Sequence, residues 1–98
     1  MIIAVDFDGT LYTKKLANLP LIAQLRASQL QGHTVILWTC REGEALREAL
    51  TILREHGFIP SFVNRNAPAA IRQFRHDPRK IFADVYIDDK SQRMEFSP

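Results

Sequence analysis

The sequence is short of cysteine, glycine and histidine, and each shortage removes a class of function. Among 98 residues there is one cysteine, Cys40, so no internal disulfide and no Cys-x-x-Cys redox or zinc pattern can form. Stability has to come from packing. The three histidines, His33, His56 and His76, have no metal-ligand spacing and read as surface or helix-end residues. No window approaches the roughly 18 apolar residues of a membrane span. The opening apolar run, Ile2 to Val5, is too short for a secretory signal and ends in Asp6, which makes a cytoplasmic site the expectation. Internal repeats, low-complexity tracts and linkers are also missing. A chain of this length supports one core, so a single domain over 1–98 is expected.

What is present is a regular alternation. "IIAV" (2–5), "TVILW" (34–38), "FIPSFV" (58–63) and "IFADVYI" (81–87) are short runs rich in β-branched and aromatic residues, the pattern of strands buried on both faces. Between them lie helical spacings. Leu19, Ile22, Ala23 and Leu30 share a face before Gly32, and Leu46, Ala49, Leu50 and Leu53 repeat before Gly57. A third, shorter helix opens at "NAP", with Asn66 as cap and Pro68 in the first turn, and turns Ala67, Ala70, Ile71 and Phe74 inward. The order β-α-β-α-β-α-β predicts a parallel sheet between helices with right-handed crossovers. In such sheets ligands bind outside the carboxyl ends of the strands. Those ends read Asp6, Thr39, Asn64 and Asp88.

The net charge is only +2, but the charges are unevenly placed. Asp6, Asp8, Asp84, Asp88 and Asp89 fall in two strand-like segments, and Arg65, Arg72, Arg75, Arg79 and Lys80 crowd one later stretch. That stretch reads first as a solvated helix face; the sharper alternative is a patch for phosphorylated or polynucleotide ligands. Two carboxylates ending a central strand repel each other and resist desolvation unless a cation lies between them. Asp88 and Asp89, closing "VYIDD", add oxygen donors at the same edge, a set suited to Mg²⁺ rather than zinc. With a hydroxyl such as Thr39 nearby, phosphoryl transfer is the natural chemistry.

"DFDGT" ending a first strand, the threonine of "WTCREGE" ending a second, and the acid pair of "RKIFADVYIDD" ending a last strand resemble the haloacid-dehalogenase-like superfamily, in particular its small capless members. The resemblance covers nearly the whole chain. It implies a minimal Rossmann-like three-layer α/β sandwich whose four parallel strands run in the order 3-2-1-4, with no cap domain. It implies a Mg²⁺-dependent phosphatase in which Asp6 is the nucleophile, forming an aspartyl-phosphate. Asp8 then protonates the leaving oxygen and activates water. The implied Mg²⁺ ligands are Asp6, the backbone carbonyl of Asp8, Asp88, and Asp89 directly or through water. Thr39 and backbone N–H groups after Asp6 and around Cys40, at the start of the next helix, are implied to hold the phosphate, and Gly9 lets the chain turn away after the acids.

Each residue also has a plainer reading. "DG" is a common turn pair, although "LYTKKLANLP" does not supply the second alternating strand that a hairpin there requires. Thr39 suits a helix cap, Arg41 either clasps phosphate or pairs with Glu44, and Cys40 reads as a small packing residue. Asp84, inside the last strand segment, reads as a structural hydrogen-bond partner or an exposed edge. Lys80 matches the capless members' phosphate-binding lysine, but if 81–88 is fully extended at about 3.3 Å per residue it lies roughly 26 Å from Asp88. Either the strand starts near Val85, or Arg65 or Arg72 takes that role. With no cap, an open site is expected, served by a neighbouring subunit in a homo-oligomer or by a large substrate. Sugar phosphates, nucleotides and phosphorylated polynucleotide ends are the candidate substrates, and the rival reading is a non-catalytic binding or assembly module that keeps the metal site.

Overall fold

The computed structural model describes residues 1–74 and 81–90. A four-stranded sheet is built from β1 (Ile2–Val5), β4 (Thr34–Leu37), β5 (Phe62–Val63) and β6 (Val85–Ile87). A small two-stranded sheet is built from β2 (Tyr12–Thr13) and β3 (Leu16–Ala17). The helices are α1 (Leu19–Leu30), α2 (Gly43–Glu55) and α3 (Pro68–Phe74). The main sheet is parallel throughout, in the order β5-β4-β1-β6. Counted over these strands alone, that is the expected order 3-2-1-4.

Register divides the sheet into two unequal faces. Ile3 and Val5 pair with Val35 and Leu37 on one side and with Val85 and Ile87 on the other. Together they form the main core with Leu21, Ile22 and Leu25 of α1, Ala49 and Leu53 of α2, and Phe58. The opposite face is a smaller cluster of Ala4, Ile36, Ile81 and Ala83, flanked by Ile2 and Phe62. Asn66, at the head of α3, reaches that layer, its Oδ1 accepting the Phe82 N–H at 2.6 Å. The direction of travel reverses between β5 and β6, and right-handed crossovers then put α3 on the other side from α1 and α2.

Several expectations need correction. In α1 the buried residues are Leu21, Ile22, Leu25 and Ser28, whereas Leu19 and Leu30 are 54% and 89% exposed and Ala23 is exposed. Apolar residues surround this helix, so more than one face satisfies the helical period. The run 58–63 is a strand only over Phe62–Val63. Pro60 has no N–H for a ladder, and Ser61 takes over, its N–H donating to Val35 O at 2.8 Å and its Oγ accepting the Val35 N–H at 3.0 Å. Likewise 81–87 is a strand only from Val85. The hydroxyl of Tyr86 donates to Ile81 O at 2.6 Å and accepts the Ala83 N–H at 3.1 Å, so a side chain replaces the sheet partner there. Finally, "LYTKKLANLP" does form a hairpin. Lys14 and Lys15 both adopt left-handed φ, 53° and 63°, the geometry of a two-residue type I′ turn made without the usual asparagine or glycine.

Candidate functional site

β1 ends in the sheet interior, with neighbours on both sides, so whatever follows it lies at the centre of the carboxyl rim. Asp6 follows it, half-buried, with its N–H donating to Ile87 O at 3.0 Å. The chain then turns tightly: the Phe7 carbonyl accepts from the N–H groups of Thr10, Leu11 and Tyr12 at 3.2, 2.9 and 3.1 Å. Gly9 makes the turn possible at φ +79°, and a Cβ there would sit 3.4 Å from Asp89 Cβ. The first loop and the last strand therefore meet at the rim. A cleft of about 310 Å³ opens there, lined by Asp6, Trp38, Thr39, Cys40, Tyr86, Ile87, Asp88 and Asp89.

The acids in this region are not equivalent. Burial raises the Asp6 carboxyl above its ordinary value, helped by the charges of Asp8, Asp89 and Asp88, while the Phe7 N–H, donating to Asp6 Oδ1 at 2.7 Å, opposes the rise. Asp8 is held the other way. Its two oxygens accept from Arg41 Nε at 2.9 Å and Nη2 at 2.8 Å, and this hydrogen bonding lowers its carboxyl despite some burial. Arg41 is fixed in turn by Ala45 O, which accepts from Nη1 at 3.1 Å, and by the Phe7 ring 4.8 Å beneath it. Arg41 thus pairs with Asp8 rather than with Glu44, which bridges to Arg47 at 3.0 Å.

Thr39 stands opposite Asp6 at the end of β4. Its position is set by Asn64, whose Oδ1 accepts the Thr39 N–H at 2.8 Å and whose Nδ2 donates to Thr39 O at 3.0 Å. Asn64 achieves this from a left-handed conformation, φ 53°, which asparagine tolerates better than most residues. The Thr39 hydroxyl accepts the Arg41 N–H at 3.1 Å. Two expectations change here. Cys40 is exposed at the cleft rather than packed, and α2 starts at Gly43, so the Cys40 N–H precedes the helix and is not one of its free amino-terminal donors.

Asp6, Thr39, Cys40, Asp88 and Asp89 are thus brought together in one cleft, and Asp8 and Arg41 form a pair beside it. Lys80 lies outside the described residues. Asp84 is structural: its Oδ2 accepts the Ile2 N–H at 2.7 Å, at the opposite rim. Among the described residues, no three His, Cys, Asp or Glu side chains form a group able to hold a metal ion. The donors nevertheless suit Mg²⁺: they are all oxygens at one rim, and burial, with repulsion from the neighbouring acids added to it, raises Asp6. A site using Asp6, Asp88 and the Asp8 carbonyl needs only two acidic side chains, and Asp8 can supply its carbonyl while its carboxylate stays on Arg41. Sequence reasoning missed the positioning role of Asn64 and the two rings at the cleft, Trp38 and Tyr86. For Asn64 the available signal was its place at a strand end.

Fold and rim together define a Rossmann-like α/β domain with an acidic ligand cleft at the carboxyl ends of a parallel sheet, and no described helix is long and apolar enough to cross a membrane. Compared with protein-family models and with curated proteins, the sequence yields no match. Among solved structures, a conserved protein from Bacteroides thetaiotaomicron is 36% identical, with a TM-score of 0.75, over 92% of this chain and 76% of that one. The chain belongs to the same family as that conserved protein.

Proposed function

We propose that this protein is a capless member of the haloacid-dehalogenase-like superfamily, a phosphatase that uses Mg²⁺ and hydrolyses phosphate monoesters through Asp6. The observation that carries the reading is the gathering of Asp6, Thr39, Asp88 and Asp89 around one cleft at the carboxyl rim. Asp6 attacks phosphorus as the carboxylate, the P–O bond to the leaving group breaks, and the leaving oxygen takes a proton. The aspartyl-phosphate is then cleaved by water, which restores the Asp6 carboxylate and releases inorganic phosphate. Thr39 offers its hydroxyl to the phosphoryl oxygens. Asp6, Asp88, Asp89 and the Asp8 carbonyl would hold Mg²⁺, which when bound neutralises charge on the phosphate and on the acids around it.

The proton donor in this scheme is Asp8. A carboxyl kept below its ordinary range by Arg41 is ionised at neutral pH and has no proton to give, so donation requires Asp8 to leave the guanidinium, turn toward the cleft and take up a proton. That same pairing is the specific observation favouring the rival reading, a binding module that keeps the rim without turnover. One assay separates them: phosphate release from sugar phosphates, nucleotides and 3′-phosphorylated oligonucleotides, with and without Mg²⁺, beside Asp6→Asn. Mg²⁺-dependent release that the substitution abolishes supports the phosphatase. Release unchanged by the substitution removes Asp6 as nucleophile, and no release from any substrate favours the binding module.

A further inference from the structure

We infer that the cleft takes a nucleoside monophosphate, its base stacked on Trp38 and Tyr86 and its phosphate at the acidic rim. The inference deepens the phosphatase reading and rests on it for the place of the phosphate. It begins with the sheet. Trp38 follows β4 and Tyr86 lies in β6, the two strands that flank β1. Tyr86 is level with Ala4 and Ile36, and Trp38 continues β4 past Leu37, its N–H donating to Val5 O at 2.8 Å. The two rings meet edge to face, with centroids 6.0 Å apart and planes at 63°.

Both rings also line the cleft that holds Asp6, Thr39, Asp88 and Asp89, and they remain 48% and 40% exposed. Two adjoining exposed rings rimmed by polar groups form the kind of patch that marks a ligand groove. The Tyr86 hydroxyl is already engaged by Ile81 and Ala83, so what Tyr86 offers the cleft is a fixed ring rather than a donor. Away from the rim acids and the Thr39 hydroxyl, the lining is Trp38, Cys40, Tyr86 and Ile87. Sugar hydroxyls would find few partners on such a wall. The face of a nucleobase finds what it needs, since stacking on an aromatic side chain tolerates any base. A volume of about 310 Å³ lies at the small end of ligand sites, which suits one free nucleotide better than a strand.

Trp38 is the chain's one tryptophan, so its fluorescence reports directly on the proposed contact. Full-length Asp6→Asn protein, used for every ligand to prevent turnover, is titrated in Mg²⁺ with adenosine, ribose 5-phosphate, AMP and a 3′-phosphorylated oligonucleotide. Calorimetry supplies affinities where the indole is removed. Adenosine and AMP should quench the emission and ribose 5-phosphate should not. AMP should bind at least about tenfold tighter than ribose 5-phosphate or the oligonucleotide end. Trp38→Ala should erase that preference, and Trp38→Phe should restore part of it. Tyr86→Leu, measured alongside, should weaken AMP less than Trp38→Ala and guards against a misfolded tryptophan variant. Equal binding of AMP and ribose 5-phosphate, or a preference that survives Trp38→Ala, overturns the inference. The two readings fail separately: nucleotide binding without phosphate release removes only hydrolysis, and release from ribose 5-phosphate without any nucleotide preference removes only the stacking platform.

Discussion

The two rims of the parallel sheet treat their carboxylates in opposite ways. At the amino rim, Asp84 fastens β6 to β1: its Oδ2 accepts the Ile2 N–H at 2.7 Å and its own N–H donates to Ile2 O at 2.8 Å. Nearby, the chain's terminal amine lies 3.1 Å from His33 Nδ1. At the carboxyl rim, Asp6, Asp88 and Asp89 share one cleft, with Asp8 close enough for its charge to raise Asp6 further. The residue type is the same and the surroundings decide its value. An aspartate facing N–H groups stabilises, while one facing other aspartates is a liability that a fold of this size retains only where it has a use.

The largest effect that tests this contrast is at Asp6. Asp6→Asn should lower phosphate release by at least about 10³-fold, as removal of a nucleophile does, and should also stabilise the domain at pH 7, by no more than about 1 kcal/mol because solvent screens a half-exposed carboxyl. The sign follows from linkage. Because the folded-state carboxyl is raised above 3.8, its ionisation opposes folding at neutral pH. Wild-type stability should therefore rise as pH falls through that raised value, with the gain complete below 3.8. Urea unfolding at several pH values measures this, and an asparagine variant less stable than wild type at pH 7 would contradict it. The same repulsion predicts a metal response. Mg²⁺ at 100 times its dissociation constant should add about 2.7 kcal/mol to wild-type stability, and Asp6→Asn or Asp88→Asn should lose most of that gain in thermal unfolding. Equal stabilisation of wild type and both variants would move the cation elsewhere.

A smaller effect is expected at the other rim. Asp84→Ala removes a carboxylate that accepts a backbone N–H and should cost about 1.5 kcal/mol, the lower end for a charged acceptor because the group is exposed. Phosphate release per folded molecule should stay within about twofold. A variant that folds as well as wild type but releases no phosphate would erase the distinction between the rims.

Most of the architecture was legible because strands buried on both faces leave a distinct trace. "IIAV" and "TVILW" are read as strands within a residue of their observed limits, and the acids and the threonine fall at strand ends as expected. What escaped reading was decided by side chains acting as backbone. Ser61, Asn66 and Tyr86 satisfy main-chain groups at 35, 82, and 81 and 83, which shortens two strands that composition alone extends. The inward face of α1 was ambiguous because apolar residues surround the helix, and the Lys14–Lys15 turn carries none of the residues that announce one. Within the site, Trp38 looked like the end of a buried strand. Only the parallel pairing of β4 and β6 on either side of β1, strands distant in sequence, brings it beside Tyr86 at the cleft.

Asp8 sharpens the contrast between the rims, because the fold pairs its carboxylate with a guanidinium. Its side chain is 57% exposed and that of Arg41 20% exposed, so solvent screens the pair and removing the guanidinium should cost no more than about 1 kcal/mol despite the two-pronged geometry. The sign is opposite to that for Asp6. A carboxyl held below 3.8 in the folded state contributes stability that is present above 3.8 and is lost as pH falls through the lowered value. Urea unfolding of wild type and Arg41→Met should therefore show a constant gap from pH 7 to about pH 4 that closes in more acidic solution, just where Asp6 has stopped penalising the wild type. A gap that persists after Asp8 is protonated would assign the contribution of Arg41 to its packing on Phe7 and its bond to Ala45 rather than to its pairing with Asp8.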